Sequence, residues 1–558
     1  MIFHGKKAQS TAVGVFVFLA AALFGYFIFR YAVNVPYMDV MELIYNVNAI
    51  QDTPSQIFFI LTKQQNDHRL VFSRIGMVLT YLLTGTLDFK TLAVLGFFNL
   101  ILLGFGFFLV YKSKNRENRA FIPVIFLLLT ANFFLIHLWG LLAFQNTLAV
   151  AFSILCLYFI QPEKEKYWGY ALPFAVFSTL TNLEAITVIP IGLCWLLFQG
   201  RWKQASYFLL FSAIYLIIYF TDFRFSSASK LAFTGESISA ITRSLLVAVG
   251  AQAKTISDTH GILLSTIFGG FILAVVFGAK LAQLFQSIRK STRGRKFEID
   301  LTDVCFLKIL AALVMIAVGR HADGIDNMVA LRFQVYSVSM IIIFYLFLLK
   351  TLKNKGLSIL KIVSLPLAVV LCGMGYKKYA ADINYTQASL QADSYNYPHY
   401  GLYLHQYFNM PEPTPGFYRN YNFPNIFNQK TIDSWIGQAD SLREQGTSMS
   451  IRKVAAGERN TDEMYEFLKL EVLTPAGLKL PADVYLGLSP DHSPEIFYLL
   501  AFKKGNSKFS DLLLGRDAET KLLCDLPKKV KTDLYRAKMC WIENGVPKSI
   551  TLPQKITL

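Results

Sequence analysis

Long apolar runs separated by short polar stretches repeat along the chain from residue 11 to residue 375. A bilayer's hydrocarbon core needs about 20 apolar helical residues to cross it. Runs suited to crossing lie at 11–33, 90–111, 120–137, 142–161, 168–182, 184–198, 205–221, 261–286, 303–320, 333–350 and 357–375. The pattern therefore predicts a polytopic α-helical membrane protein with about 11 transmembrane helices. Beyond Gly375 it changes. Residues 376–459 read as a helical and irregular linker, Tyr-rich to about Ser394 and then punctuated by Pro411, Pro413, Pro415 and Gly416. In residues 460–558 short β-branched and aromatic runs such as DVYLGLS and EIFYLLAFKK alternate with turns such as SPDHSP and ENGVP. That period of two predicts a β-sandwich-like C-terminal domain.

The polar stretch at 34–89 has an internal pattern of its own. A helix begun at Pro36 would set Asp39 and Glu42 on one face, Asn46 a turn further on, and Val40, Ile44 and Val47 on the opposite face. Such a helix suits the plane where membrane meets water. Leu70 to Thr84 is apolar but only about fifteen residues long, and Asp67, His68, Arg69 and Arg74 flank or punctuate it. If it does not cross, Lys6 and Lys7, Lys112 to Arg119, Lys164 with Lys166, Arg201 with Lys203, Arg289 to Lys296 and Lys350 with Lys353 and Lys355 share one side. Asp67 to Gly85 is therefore expected to lie in the interface as a second helix of an extracytoplasmic first loop, residues 34–89. The expected localisation is a plasma (inner) membrane, multi-pass, with a cytoplasmic N-terminus acting as a signal anchor and the C-terminal domain periplasmic or otherwise extracytoplasmic.

Composition agrees with a membrane protein. Of 558 residues 54% are hydrophobic and 16% charged. The net charge of +17 is spread over the loops between apolar runs, so it reads as topology signal and no nucleic-acid partner is expected. Cys156, Cys194, Cys305 and Cys372 fall in apolar runs and read as small core residues. Cys524 and Cys540 lie in the β-rich domain, where an oxidising compartment would allow a disulfide; spacing alone leaves open whether they are bonded. The chain contains no CxxC, P-loop, GxSxG or HExxH motif.

Ionisable residues at membrane depth are costly and tend to mark sites. Taken singly, each candidate is also explained by snorkelling, capping or solvated charge. Glu184 beside Asn182, Arg320 with His321, and Arg332 with Tyr336 one turn later all stand at the predicted outer ends of apolar runs. Arginine offers a planar fork suited to phosphate.

These features resemble the GT-C superfamily of polyprenyl-phosphate-dependent glycosyltransferases, in the branch of protein mannosyltransferases, aminoarabinose transferases and bacterial relatives that modify O-antigen, lipopolysaccharide or other cell-envelope glycans. The matching residues are Pro36, Asp39 and Glu42 in P-x-x-D-x-x-E, then Asn66 to Arg69 with Arg74, the WGLLAFQ segment from Trp139 to Gln145, and Gly319, Arg320, Arg332 and Tyr336. The resemblance covers the layout of residues 1–375. It implies an inverting hexosyl- or pentosyltransferase that uses an undecaprenyl-type phosphosugar donor and a glycan or lipid-linked acceptor at the bilayer's outer face. Asp39 would then be the general base and Glu42 its catalytic neighbour. Asp67, His68, Trp139, Gln145 and Glu184 would bind acceptor or sugar, and Arg69, Arg320, Arg332 and Tyr336 the donor phosphate. Many members of this family carry two adjacent acids in the first loop. Here Val40 follows Asp39, and no metal or other cofactor is expected. The alternative class is a flippase or transporter of lipid-linked saccharides, with the same charges lining a path. A carrier places its site near the bilayer midplane on broken helices or repeats. No convincing internal repeat relates the two halves of this chain.

Overall fold

An apolar run free of Gly-Pro breaks satisfies its own backbone by coiling, and in the computed structural model the runs become helices. The structure describes residues 2–113, 118–224, 235–289, 298–401, 403–405, 419–422, 424, 426–437, 450–454, 467–474, 484–493, 496–504, 521–527, 533–552 and 555–557. The described chain begins with α1 (Ile2–Tyr31), α2 (Met41–Asp52), α3 (Ile57–Thr62), α4 (Val71–Thr84) and α5 (Phe89–Lys112). It continues through α6 (Ile122–Leu128), α7 (Phe134–Leu138), α8 (Gly140–Leu142), α9 (Leu148–Ile160), α10 (Ala171–Thr179), α11 (Val188–Phe198) and α12 (Trp202–Phe220). After these come α13 (Gly235–Val249), α14 (Gly261–Arg289), α15 (Leu301–Arg320), α16 (Gln334–Thr351) and the 47-residue α17 (Asn354–Tyr400). Among the described residues the last helix is α18 (Gln429–Gly437), followed by nine strands from Ser450 to Thr557.

Among the described residues, eight helices are long and apolar enough to cross a membrane, or nine if Asn118–Leu128 and Ala131–Leu138, bent by 43°, form one span. The sequence pattern predicts about eleven. The difference lies at 168–182 and 184–198, and at 120–137 if the bent pair is not one span. The first becomes a 3-10 stretch, Pro162–Tyr170, followed by the nine-residue α10; the second is a 3-10 turn, Leu183–Thr187, leading into the eleven-residue α11. Asn182 interrupts the run: its backbone is extended and its side chain caps the Leu183 N–H. The fourteen-residue α4 is likewise short of a span, about 21 Å at 1.5 Å per residue. The helix α13 was not predicted, because its polar positions make it read as part of a loop.

Contacts divide the chain into two compact units. The first comprises residues 1–30, 49–83 and 91–378; the second comprises residues 31–48, 84–90 and 379–558. In the first, the apolar helix Gly140–Ile160 is buried at every residue but Tyr158 and Phe159, as a helix without a polar face must largely be. Peripheral helices instead turn large apolar side chains outward, such as Phe18 on α1, Ile217 on α12 and Ile362 on α17, each more than two-thirds exposed. That is the surface of a helix bathed in lipid. Helices α13 and α14 approach closely through two glycines. A Cβ at Gly250 would lie 3.0 Å from the Ser265 carbonyl carbon, and one at Gly269 3.0 Å from that of Leu246. At the far ends of α14, α15 and α16, Lys350 Nζ lies 3.0 Å from Asp300 and 2.8 Å from Asp303, which Lys280 also meets at 2.5 Å.

The second unit holds two antiparallel sheets. Its strands are β1 (Ser450–Val454), β2 (Phe467–Leu473), β3 (Val484–Pro490), β4 (Tyr498–Ala501), β5 (Lys503–Lys504), β6 (Lys521–Pro527), β7 (Leu534–Glu543), β8 (Val546–Thr551) and β9 (Ile556–Thr557). One sheet runs β1-β2-β6-β5; the other runs β4-β3-β7-β8, with β9 pairing β7. Alternation assigns the faces. Leu486, Leu488, Leu500, Ala537 and Met539 join Leu470, Val472, Leu522 and Cys524 in one core cluster. Tyr485, Leu499, Ala501 and Cys540 form the second cluster with Ala388, Ala392 and Tyr395 of α17 and Ile432 and Trp435 of α18. Both faces of β3 and β4 are covered, so these strands are buried almost throughout. Cys524, on β6 of the first sheet, packs into the cluster against one face of the second sheet, Cys540, on β7, points into the cluster on its other face, and no disulfide joins them. The 460 boundary also changes meaning, since β1 precedes it and residues 388–435 of the expected linker contribute to the core.

The edge strand β4 is closed by side chains from the end of α17 and the turn after it. The N–H groups of Phe497, Leu499 and Ala501 donate to Tyr400 Oη at 2.9 Å, Asn396 Oδ1 at 2.9 Å and His405 Nε2 at 2.9 Å. Asn396 Nδ2 returns a bond to the Leu499 carbonyl at 2.6 Å, so one amide side chain acts as a neighbouring strand would. Buried Asp393 accepts from the Leu404 N–H at 2.8 Å and orients His405 through Nδ1 at 3.0 Å. Replacing Asn396 by Ala in the full chain leaves a buried donor and acceptor unmet, a loss of about 1–3 kcal/mol in local stability. Hydrogen exchange at the Leu499 amide is expected to accelerate by about tenfold or more, while exchange in the first unit stays unchanged.

Candidate functional site

The acid-bearing loop belongs to the second unit. Its helix starts later than Pro36: a 3-10 turn, Met38–Val40, carries Asp39, and Glu42 stands in the first turn of α2. Val40, Ile44 and Val47 are buried as the pattern predicts, within protein. Asn46, one turn past Glu42, is also buried, and neither atom of its amide has a hydrogen-bond partner. Met38 is held at φ 50°, a left-handed conformation that a bulky residue adopts only under constraint. That strain lies immediately before Asp39.

Residues that the sequence pattern left in the linker stitch this loop down. Arg419 donates to the Asn48 carbonyl at 2.6 Å, Asn420 Nδ2 to Asn48 Oδ1 at 2.8 Å, and the Leu87 N–H to the Asn420 carbonyl at 2.6 Å. The Tyr421 hydroxyl donates to the Asn34 carbonyl, and its ring packs on Phe89 at 5.2 Å. Asn34 Oδ1 accepts from the Phe89 N–H at 2.9 Å, which joins the two ends of the loop.

In the first unit, several predicted site residues converge. Tyr336 donates its hydroxyl proton to the Glu184 carboxylate, and both side chains are buried. Asn182 Nδ2 reaches the Tyr336 oxygen at 3.4 Å and donates to Asn146 Oδ1 at 2.8 Å. Asn146 Nδ2 in turn donates to the Arg332 carbonyl at 2.7 Å. His68 joins from the first loop, where Nδ1 accepts the Leu183 N–H at 3.2 Å. Segments around residues 68, 146, 183 and 334 thus share one hydrogen-bonded group. The ammonium of Lys308, buried on α15, lies within electrostatic reach of Glu184.

Local backbone explains how each arrives. A tight turn with reciprocal bonds between Gln65 and His68, at 2.8 and 3.0 Å, presents Asp67 and His68; Asn66 occupies its left-handed position at φ 49°. The π-helical turn Ala143–Thr147 inserts a residue into the helical register and brings Asn146 to Asn182. Asn146 stands one residue beyond the WGLLAFQ segment. Trp139, 4% exposed, ends α7, and Gln145 is buried in the π turn. The Trp139 ring is enclosed by protein and presents no open face for sugar stacking, a correction to the expected role.

Arg69 is also reassigned. Its guanidinium donates to the carbonyls of Tyr219 at 2.9 Å, Thr62 at 2.6 Å and Thr221 at 2.6 Å, with the Tyr219 ring 5.6 Å away. Arg74 donates to the Leu61 and Lys63 carbonyls at 3.0 and 2.6 Å. Arg69 closes the carbonyl-rich ends of α3 and α12 and Arg74 that of α3, instead of offering forks to phosphate. Arg320 retains substantial exposure at 46% and pairs with Asp323 at 3.1 Å. The Arg332 guanidinium sits 4.9 Å from the centre of the Phe333 ring.

Comparison of the chain with protein-family models, curated proteins and solved structures gives no match.

Burial pushes the His68 imidazole from 6.5 down to about 4; Asp67 works against this shift and Arg320 reinforces it. The ring is therefore neutral at pH 7, with Nδ1 free to accept the Leu183 N–H. A depressed folded-state value means that the unfolded chain binds the extra proton first. The contribution is complete above about pH 6.5 and is lost as pH falls towards 4. Imidazole NMR of the labelled protein is expected to show His68 titrating near pH 4, well below an exposed histidine. In His68→Gln, the part of the stability loss between pH 6.5 and 4 that comes from this residue should disappear.

Proposed function

We propose that this protein is an inverting membrane glycosyltransferase that moves a sugar from a polyprenyl-phosphate donor to an extracytoplasmic glycan or lipid-linked acceptor. The observation that carries the reading is the hydrogen-bonded convergence of Glu184, Tyr336, Asn182, Asn146 and His68 from distant segments, near the ends of membrane helices. The strained turn beside Asp39 supports a functional role for the acid loop. Chemistry at a lipid headgroup needs its polar residues near one surface of the bilayer. We further propose a plasma-membrane orientation with the N-terminus cytoplasmic and the C-terminal unit outside, the arrangement favoured by the Lys and Arg clusters.

In the proposed step Asp39 takes the proton from the acceptor hydroxyl as that oxygen attacks the anomeric carbon. The bond from the anomeric carbon to phosphate oxygen breaks, and polyprenyl phosphate leaves with the electron pair. Inversion follows from attack opposite the leaving group. Arg320 and Arg332 balance the phosphate's charge, while Glu42 orients the acceptor. Asp67, His68, Gln145, Glu184 and Tyr336 shape the polar site around the reactants. Arg69 and Trp139 act as supports.

A second reading, a flippase or transporter of lipid-linked saccharides, draws on the bent pair Asn118–Leu128 and Ala131–Leu138, since broken helices recur in carriers. Transfer of labelled sugar by the purified protein separates the two. Transport without product formation would favour the carrier.

Asp39→Asn preserves shape and removes the proton acceptor, so product formation should fall at least about 100-fold with donor affinity intact. Near-normal turnover would remove Asp39 from the mechanism. Arg320→Ala or Arg332→Ala should weaken donor binding, with Lys restoring only part because it lacks the planar fork. Unchanged donor binding in both alanine variants would leave them structural roles.

A further inference from the structure

A cavity of ≈ 510 Å³ lies in the first unit, away from the Glu184–Tyr336 group, between the starts of α1, α6 and α17. Its walls are apolar, with Ala12, Val13, Phe16, Ile122, Pro123 and Leu365 among them, and two cations, Arg119 and Lys361, also line it. Ser364 lines it as well. The Ser364 hydroxyl is shielded from solvent and has no hydrogen-bond partner, although a helical serine ordinarily bonds back to a carbonyl one turn earlier.

Position fixes what such a cavity meets. The Tyr345 hydroxyl donates to the Ala120 carbonyl at 2.7 Å, which ties the cavity wall to the later turns of α16. Tyr336 lies near the opposite end of that helix, nine residues earlier, and Arg332 lies earlier still. At 1.5 Å per residue, Arg332 and Tyr345 are about 20 Å apart along the axis. The Phe121 ring also packs against Tyr111 at 5.3 Å, beside Lys112 at the end of α5. The cavity thus opens at the basic end of the membrane helices, where headgroups lie. Phe16 and Leu365 are each 37% exposed and continue its apolar wall to the lipid-facing surface.

We propose that this cavity binds the headgroup of an anionic membrane phospholipid. Its phosphate would lie between Arg119 and Lys361 and accept the Ser364 hydroxyl proton, with acyl chains following Phe16 and Leu365 into the bilayer. Basic pockets between membrane helices select such lipids because the cations meet net charge at low dielectric. A zwitterionic headgroup brings its own ammonium and loses that advantage. The volume lies within the range of small-molecule pockets, about 300–1,000 Å³.

The test uses the delipidated full chain in detergent and native mass spectrometry, with phosphatidylglycerol and phosphatidylcholine of identical acyl chains as probes. The wild type should bind phosphatidylglycerol preferentially. Arg119→Gln with Lys361→Gln should weaken that binding about thirty-fold, a factor of about five for each cation, and leave phosphatidylcholine unchanged. Ala12→Phe keeps both charges and fills the cavity, and should abolish the same preference, which keeps the test valid if the double variant does not fold. Equal binding of both lipids by the wild type, or a preference that survives in a folded variant, overturns the proposal. Competition by inorganic phosphate at concentrations comparable to the lipid's would mark a soluble-anion site and overturn the lipid assignment.

Discussion

A polar group shut away from water is costly unless it finds a partner within the protein, and much of the local architecture within each unit follows from this constraint. In the first unit, helices that stop short leave carbonyls facing inward. Arg69 and Arg74 supply enough donors to close the ends of α3 and α12 from a single loop. The same rule joins Asn146, Asn182, Tyr336 and Glu184 into a chain, because none of these buried groups could stand alone cheaply. In the second unit Asp393, Asn396 and His405 do this work for the last turns of α17 and the edge of a sheet.

Features set by long-range averages were legible in the sequence. Apolar length marked most of the membrane helices, and period-two alternation marked the C-terminal strands. Features that depend on one residue's partner were not. Nothing in the residue type distinguishes an arginine that grips phosphate from one that caps carbonyls, as Arg69 does. A π turn is an insertion in register with no periodic trace, and it hides Asn146 one position beyond the WGLLAFQ segment. Asn182 was visible as a break, yet its power to shorten two expected spans depends on its extended backbone. The strand parity of Cys524 and Cys540 becomes readable only once pairing is known: Leu470 stands opposite Cys524, and Tyr485 opposite Cys540.

The acid loop illustrates the same limit from another side. Its apolar face was legible, since Val40, Ile44 and Val47 have helical spacing, but the pattern could not say whether lipid or protein would cover it. In the structure protein covers it, and Asn34, Asn48, Asn420 and Tyr421 hold the loop through contacts nearly four hundred residues apart in sequence. A polar stretch following a proline-rich segment carries no visible sign that it will clamp a distant loop.

The end of α17 supplies what β4 would otherwise take from a further strand, and this gives the domain an order of assembly. Tyr400, Asn396 and His405 precede residues 497–501 by about a hundred positions, so the ribosome releases the template before the strand that reads it. The late strand meets a helix already carrying a copy of the pairing edge it needs. Contacts of such sequence separation are slow to form by chance. A prefolded helix narrows the search to one register and leaves that side of the sheet no opening through which another chain could add itself.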